Sequence, residues 1–329
     1  MILRDIDFGP VLDATGVRGF FGEGYRHHRI LGPLGPDFDG STFVSKTTTL
    51  KPRKGNLELD ENYGPKKFFP DCIRIYPAKG VVLNAVGLSG PGAQALFERG
   101  EWQKREKPFF ISIMSVAKTR VDRWEDMLGF VNIFSVYLRE VRAPVGLQVN
   151  FSCPNVGLTH SYDEDFVHEV LDVLQLLEIL NVPLMPKFNV LLPVRAAKKI
   201  SEHRACDALC ISNTLPWGAL PSAIDWKELF GSDESPLAKY GGGGLSGKPL
   251  LPLIGKWGRD ARLEGVKKPI HYCGGIMSRQ DVRTLAAMLG KFLYPNDSIA
   301  VGGAASILRP WKVRGIIEEG HKLFAERRQ

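Results

Sequence analysis

Residues 146–151, GLQVNF, and residues 184–189, LMPKFN, are short runs in which apolar side chains follow one another with little alternation. Between them, the stretch 163–180 carries Phe166, Val167, Val170, Leu171, Leu174 and Leu177 at i, i+3, i+4 spacing. A near-continuous apolar run is what a strand covered on both faces requires, and two parallel strands need a crossover, usually a helix. The segment therefore reads as a βαβ unit. Asp163, Glu164 and Asp165 suit the helix N-terminus, and Asn181 and Pro183 mark where it must stop.

The same pattern recurs in both directions, at PVLDAT (10–15), STFVSK (41–46), PFFISIM (108–114), DALCIS (207–212), PIHYCG (269–274) and SIAVGG (298–303), which makes eight runs. Further helices are expected at 121–140, at 192–203, at 278–290 with Ser278 as N-cap, and at 308–327 with Pro310 near its first turn. Eight strands alternating with helices over 329 residues predict an α/β fold, a (β/α)8 TIM barrel rather than a doubly wound sheet. The connections 47–107 and 213–268 are too long for plain links, so they read as long active-site loop insertions after strands 2 and 6. The second contains GGGGLSG (241–247), a backbone that can approach a ligand closely. With no internal repeat and no low-complexity segment, residues 1–329 read as a single domain.

Composition narrows the function. Forty-three Lys and Arg against 36 Asp and Glu give a net charge of +7, and 44% hydrophobic residues place the chain among ordinary globular proteins rather than disordered or fibrous ones. The basic stretches 26–29, 51–54 and 104–107 are short and lack interleaved aromatics, so an anionic small molecule is the expected partner, not nucleic acid. No run of about 18 apolar residues predicts a membrane span, and the first residues, MILRDIDFGP, contain no apolar signal-peptide core. Five scattered cysteines predict reduced thiols and a cytoplasmic setting. Cys206 and Cys210 lack a second ligand pair, so no metal is expected.

The chemistry concentrates at strand ends. NFSCPN (150–155) leaves the fourth strand with Asn150, Cys153 and Asn155 at the rim where a barrel builds its active site. A cysteine there is either a small buried apolar group or a reactive thiol between carboxamides that can read a planar polar ligand. Lys187 lies inside the fifth strand, either reaching to solvent or held in the barrel mouth against an anion or an electron-rich cofactor, and Lys46 at the end of the second strand carries the same two readings. Gly274-Gly275 and Gly302-Gly303 follow strands seven and eight, where main-chain N–H groups and helix N-termini bind phosphate. His271 reads as a core histidine before a base, and His27 and His28 as surface residues. HExxH, P-loop and GxSxG patterns are missing from the chain.

Taken in order, PVLDATGV (10–17), VSKTTTLKPRKGN (44–56), LNAVGL (83–88), QVNFSCPNVG (148–157), MPKFN (185–189), ISNT (211–214), GGLSGKP (243–249), CGGIMSRQDV (273–282) and AVGGAA (300–305) resemble the dihydroorotate dehydrogenase family nearly end to end. The resemblance implies a single FMN-binding (β/α)8 barrel that oxidises dihydroorotate to orotate in pyrimidine biosynthesis. Cys153 would take the C5 proton while a hydride leaves C6 for N5 of the flavin. Asn84, Asn150, Asn155, Asn213 and Thr214 would bind the pyrimidine and its carboxylate. Lys187 would lie near N1 and O2 of the flavin, and Lys46 would touch flavin and substrate. Ala14, Thr15 and Gly16 would pass close to the flavin, with Gly247, Gly274, Gly275, Gly302 and Gly303 around ribityl and phosphate. Gly303 stands where the family commonly has a phosphate-binding threonine, and 216–240 follows no family motif.

The cysteine base and Lys46 resemble the class 1 enzymes rather than the membrane-associated class 2. The resemblance implies a homodimer, with an iron–sulfur flavoprotein as electron-transfer partner if the ISNT and GGLSG segments are followed. Two alternatives stand beside it: a related flavin barrel that reduces another pyrimidine such as uracil, and a non-catalytic nucleotide-binding barrel.

Overall fold

The computed structural model describes residues 1–152 and 162–325. Among them, seven parallel strands form one curled sheet in the order Val11–Asp13, Ser298–Val301, Ile270–Tyr272, Leu209–Ile211, Leu184–Phe188, Val145–Asn150 and Phe109–Ile113. Residues 42–48 close the gap between the first and last of these. The Thr42 N–H donates to Val11 O at 3.0 Å and the Asp13 N–H to Thr42 O at 2.8 Å, while the Ser45 N–H reaches Phe110 O at 2.9 Å. The expected strand STFVSK is thus a stave of the barrel held by isolated bridges at Thr42, Val44 and Thr48. Its ladder is interrupted because the Ser112 N–H goes to the Ser45 hydroxyl (3.0 Å) and the Lys46 N–H turns away to Gly19 O (2.8 Å). The eight expected strands are the eight staves.

Packing follows from the apolar runs. Leu12, Val44, Phe110, Met185, Ala208, Cys210 and Ala300 fill the barrel, joined by Met1, Leu3 and Phe8 from an N-terminal hairpin, Ile2–Leu3 with Ile6–Asp7. The hairpin plugs the end opposite the strand C-termini, where Arg4 Nε donates to both carboxylate oxygens of Asp207 at 3.0 Å. A second core lies between the strands and the surrounding helices. The helix Glu164–Leu177 opens on the Asp163 carboxylate, which accepts the Phe166 N–H, and after one 3-10 turn the chain reverses at Asn181 in the left-handed region (φ 50). Ser278 caps Arg279–Leu289 through the Asp281 N–H, as expected.

One helix differs. Instead of a single span 308–327, Gly303–Leu308 and Val313–Ala325 are separate, with Arg309 outside helical geometry (φ −145, ψ 53) and a 3-10 turn at Pro310–Lys312 between them. Proline disfavours α geometry in the residue before it and cannot donate to the preceding turn, so the periodic pattern is broken at Pro310.

The two insertions are also more than loops. Ile73–Tyr76 and Val81–Asn84 from the first pair with Gly244–Gly247 and Leu215–Pro216 from the second, in a four-stranded antiparallel sheet. Trp217, Trp226 and Phe230, from the stretch without a family motif, pack with Leu83, Leu215 and Leu245 in the core that supports this sheet. The second insertion then continues into the helix Leu250–Glu264, absent from the sequence reading. Its Arg262 is fully buried and pairs with buried Asp297 at 2.6 Å, with Asp297 also accepting the Ile270 N–H at 2.7 Å. Such a pair fixes one arrangement of helix against strand, because removing either partner strands a buried charge.

Candidate functional site

The C-terminal ends of the staves and the four-stranded sheet enclose a cavity of about 940 Å³. Asn150 ends its strand directly beside Lys187 of the next, which in turn sits beside Cys210. The Asn150 side-chain oxygen accepts the Ser152 N–H at 3.1 Å and the Asn213 Nδ2–H at 3.0 Å. Asn213 Nδ2 also donates to Ser152 O at 3.1 Å, and its Oδ1 accepts the Thr214 N–H at 2.9 Å. The carboxamides at the strand ends are therefore held in one orientation by each other and by main chain. Asn84 joins them from the inserted sheet, where register pairs it with Gly244 and its Nδ2 lies 3.4 Å from Gly244 O.

Lys187 is 5% exposed, and its ammonium donates to Thr15 Oγ1 at 2.9 Å. Among the described residues no carboxylate pairs with it; the groups its charge reaches are Cys210, His271 and Cys273. Burial, with Lys187 nearby, pushes His271 down to about 3, and its Nδ1 lies 2.8 Å from Ser298 Oγ, so this histidine is a neutral core residue. Lys46 takes a different path: its Nζ meets Ser89 O and lies 4.4 Å from the centre of the Phe20 ring. Burial pulls Lys46 down to about 7.

The glycines serve distinct ends. Gly275 (φ +75) packs so closely on the helix Leu250–Glu264 that a Cβ would fall 2.3 Å from the Leu251 nitrogen, and at Gly247 (φ +114) a Cβ would lie 2.2 Å from Gly80 O. These two answer to backbone packing. At Gly303, by contrast, a Cβ would meet nothing within 4 Å, and at Gly302 only the Ala14 methyl at 4.0 Å. No side chain caps the helix Gly303–Leu308, so its first N–H groups face the cavity without a side-chain acceptor.

Every expected site residue that the structure describes lines this one cavity: Ala14, Thr15, Gly16, Lys46, Asn84, Asn150, Lys187, Asn213, Thr214, Gly247, Gly274, Gly275, Gly302 and Gly303. Cys153 and Asn155 lie outside the described residues. His27 and His28 depart from the expectation of a surface position. They stand on a short helix, Arg26–Ile30, half-buried against Tyr25, Phe38 and Phe68, and burial pulls His28 down to about 4.

Sequence reasoning also passed over Gln148, whose Oε1 meets the Thr15 hydroxyl inside the barrel. Its signal was available, since Gln148 precedes Asn150 by two and so shares its face of the strand. At the cavity mouth, Ile30, Leu31, Phe68, Phe69 and Ile75 are exposed apolar residues. No helix among the described residues is long and apolar enough to cross a membrane, and none of their His, Cys, Asp and Glu side chains cluster as a metal site.

The model of the family described as dihydroorotate dehydrogenase matches residues 8–287. The catalytic subunit of dihydroorotate dehydrogenase B (NAD(+)) from Bacillus mycoides (strain KBAB4) is 27% identical over 326 residues, covering 96% of this chain and 88% of its own length. The same subunit from Desulforudis audaxviator (strain MP104C) is 28% identical over 324 residues, covering 96% and 89%. That from Geobacillus sp. (strain WCH70) is 28% identical over 322 residues, covering 94% and 85%. A strand-end carboxamide cluster beside a buried lysine, in a barrel matched over most of its length, has one consequence: the chain belongs to the dihydroorotate dehydrogenase family.

Proposed function

We propose that this chain is an FMN-dependent dihydroorotate dehydrogenase that converts dihydroorotate to orotate in de novo pyrimidine biosynthesis. The observation that carries the proposal is the convergence of Asn84, Asn150, Asn213 and a buried Lys187 ammonium, without a carboxylate partner among the described residues, on one cavity. The cavity's own groups fit FMN. Gly302 and Gly303 leave open space over uncapped helical N–H groups, which suits a phosphate. Lys187, without a carboxylate among the described residues, suits the pyrimidine side of a flavin that becomes anionic on reduction. FMN, when bound, would supply the hydride acceptor.

Cys153 is the proposed base. Its thiolate would accept the proton from C5 of the substrate as the hydride departs from C6, so that the C5–C6 double bond forms and the two electrons leave together. The carboxamides would orient the substrate ring: Asn150 and Asn213 are already locked to each other, so little reorganisation would accompany binding. Lys46, pulled to about 7 by burial, would be part charged and part neutral at neutral pH, and could donate to substrate or flavin oxygen in its charged form. The relatives above are named as catalytic subunits, which supports an electron-transfer partner, here an iron–sulfur flavoprotein, for the reoxidation step.

Orotate provides the test. Added to the oxidised protein, it is expected to perturb the flavin absorbance and to compete with dihydroorotate. A barrel built for uracil would respond to uracil and ignore orotate, since it has no use for a carboxylate.

A further inference from the structure

Lys187 Nζ, Thr15 Oγ1 and Gln148 Oε1 form a chain across the barrel interior, from the fifth stave through the loop after the first stave to the fourth. Its polarity is forced. An ammonium has three donors and no acceptor, so Thr15 Oγ1 must accept from Lys187, and the single hydroxyl proton of Thr15 is left for Gln148. Gln148 is 1% exposed and meets it with the carbonyl end of its amide.

An amide satisfies this position in a way its neighbours in chemistry do not. Glutamate would accept the same hydrogen bond but bring a negative charge into the pocket of Lys187, turning a lone cation into an ion pair. Leucine or methionine would leave the hydroxyl proton without an acceptor in a buried site and free Thr15 to rotate. Among the described residues, the other groups that the ammonium's charge reaches are neutral: Cys210 and Cys273 are thiols pushed up by burial, and His271 is uncharged. The positive charge at the cavity floor is therefore fixed in place without being cancelled.

We propose that Gln148 is a positioning residue which, through Thr15, anchors the Lys187 ammonium without adding a counter-charge and thereby raises the reduction potential of the flavin. This rests on the FMN reading above. A fixed positive charge favours adding electrons to a flavin in a site shielded from water, and it equally favours sulfite addition, which also leaves the flavin anionic.

The test uses the purified holoprotein, with potentials from anaerobic reductive titration against a reference dye and sulfite affinity from flavin bleaching. Gln148→Glu is expected to shift the reduction equilibrium ten- to hundredfold toward oxidised flavin, about 30–60 mV for a two-electron couple at about 30 mV per tenfold. Sulfite affinity should fall by a similar factor. Thr15→Val, a near-isosteric change at a half-buried position, should lower the potential about tenfold in the same equilibrium, whereas Thr15→Ser should stay within twofold of wild type. If Gln148→Glu does not fold, the Thr15 pair decides. Flavin-loaded variants that all remain within twofold of wild type in both readouts would overturn the role of Gln148 and leave the FMN reading standing. A wild-type protein that binds no flavin would overturn both.

Discussion

Replacing Cys153 with serine is expected to lower turnover at pH 7 by about 10²–10⁴-fold, the usual weight of a positioned general base. A cysteine side chain ordinarily titrates near 8.5, within reach of neutral pH, so thiols as a class can supply a thiolate base there. A serine hydroxyl has no accessible anion in this range. Turnover of Cys153→Ser should therefore be small throughout and rise further into alkaline pH than that of the wild type. Bound flavin should persist, because no flavin-facing residue is changed. A steady-state pH profile with bound FMN quantified checks this, and an unaltered rate at neutral pH would remove the cysteine from the chemistry.

Lys187→Met is expected to cost about 10²–10³-fold in turnover, or about 3–4 kcal/mol of transition-state stabilisation, while leaving stability unchanged or higher. The two halves of this prediction share one cause. Lys187 is buried with a threonine hydroxyl as its hydrogen-bond partner and no carboxylate among the described residues. In the folded protein without substrate, that charge is a desolvation cost that methionine, similar in length, does not carry. On the proposed reading, the same charge would stabilise the negative charge that FMN takes up during turnover, and its loss would be felt there. Paired measurements of kcat and thermal midpoint would separate these effects. A variant that is destabilised yet turns over at the wild-type rate would make Lys187 a structural residue.

The barrel was legible because a strand covered on both faces has no room for alternation: LMPKFN and SIAVGG announce themselves as buried strands, and the 163–180 stretch as the helix between two of them. The rim was legible from where polar residues interrupt these runs. Asn150 and Lys187 stand out because they end or break apolar stretches, and the structure places them side by side. Gln148 was passed over because it sits inside a run counted as apolar, although its spacing from Asn150 puts both on one face.

What pairs across long separations was not legible. Val81–Asn84 finds Gly244–Gly247 more than 150 residues later, and no local signal in either insertion sets that register, yet it is this pairing that brings Asn84 to the cavity. The two glycine pairs look alike as dipeptides. One half of the distinction, the 2.3 Å approach of a Gly275 Cβ to Leu251, needs the helix Leu250–Glu264 to be in place before it can be seen. Pro310, in contrast, did carry the information that breaks the 308–327 helix, and the apolar periodicity on either side masked it.

The most direct test of the central claim is to add dihydroorotate to the purified protein under anaerobic conditions and follow the visible spectrum. The expected result is a yellow protein that releases FMN on denaturation, whose absorbance near the flavin maximum bleaches on mixing with formation of one orotate per flavin reduced. A colourless protein, or a flavin spectrum that dihydroorotate leaves untouched while a reducing dye bleaches it, would contradict the account.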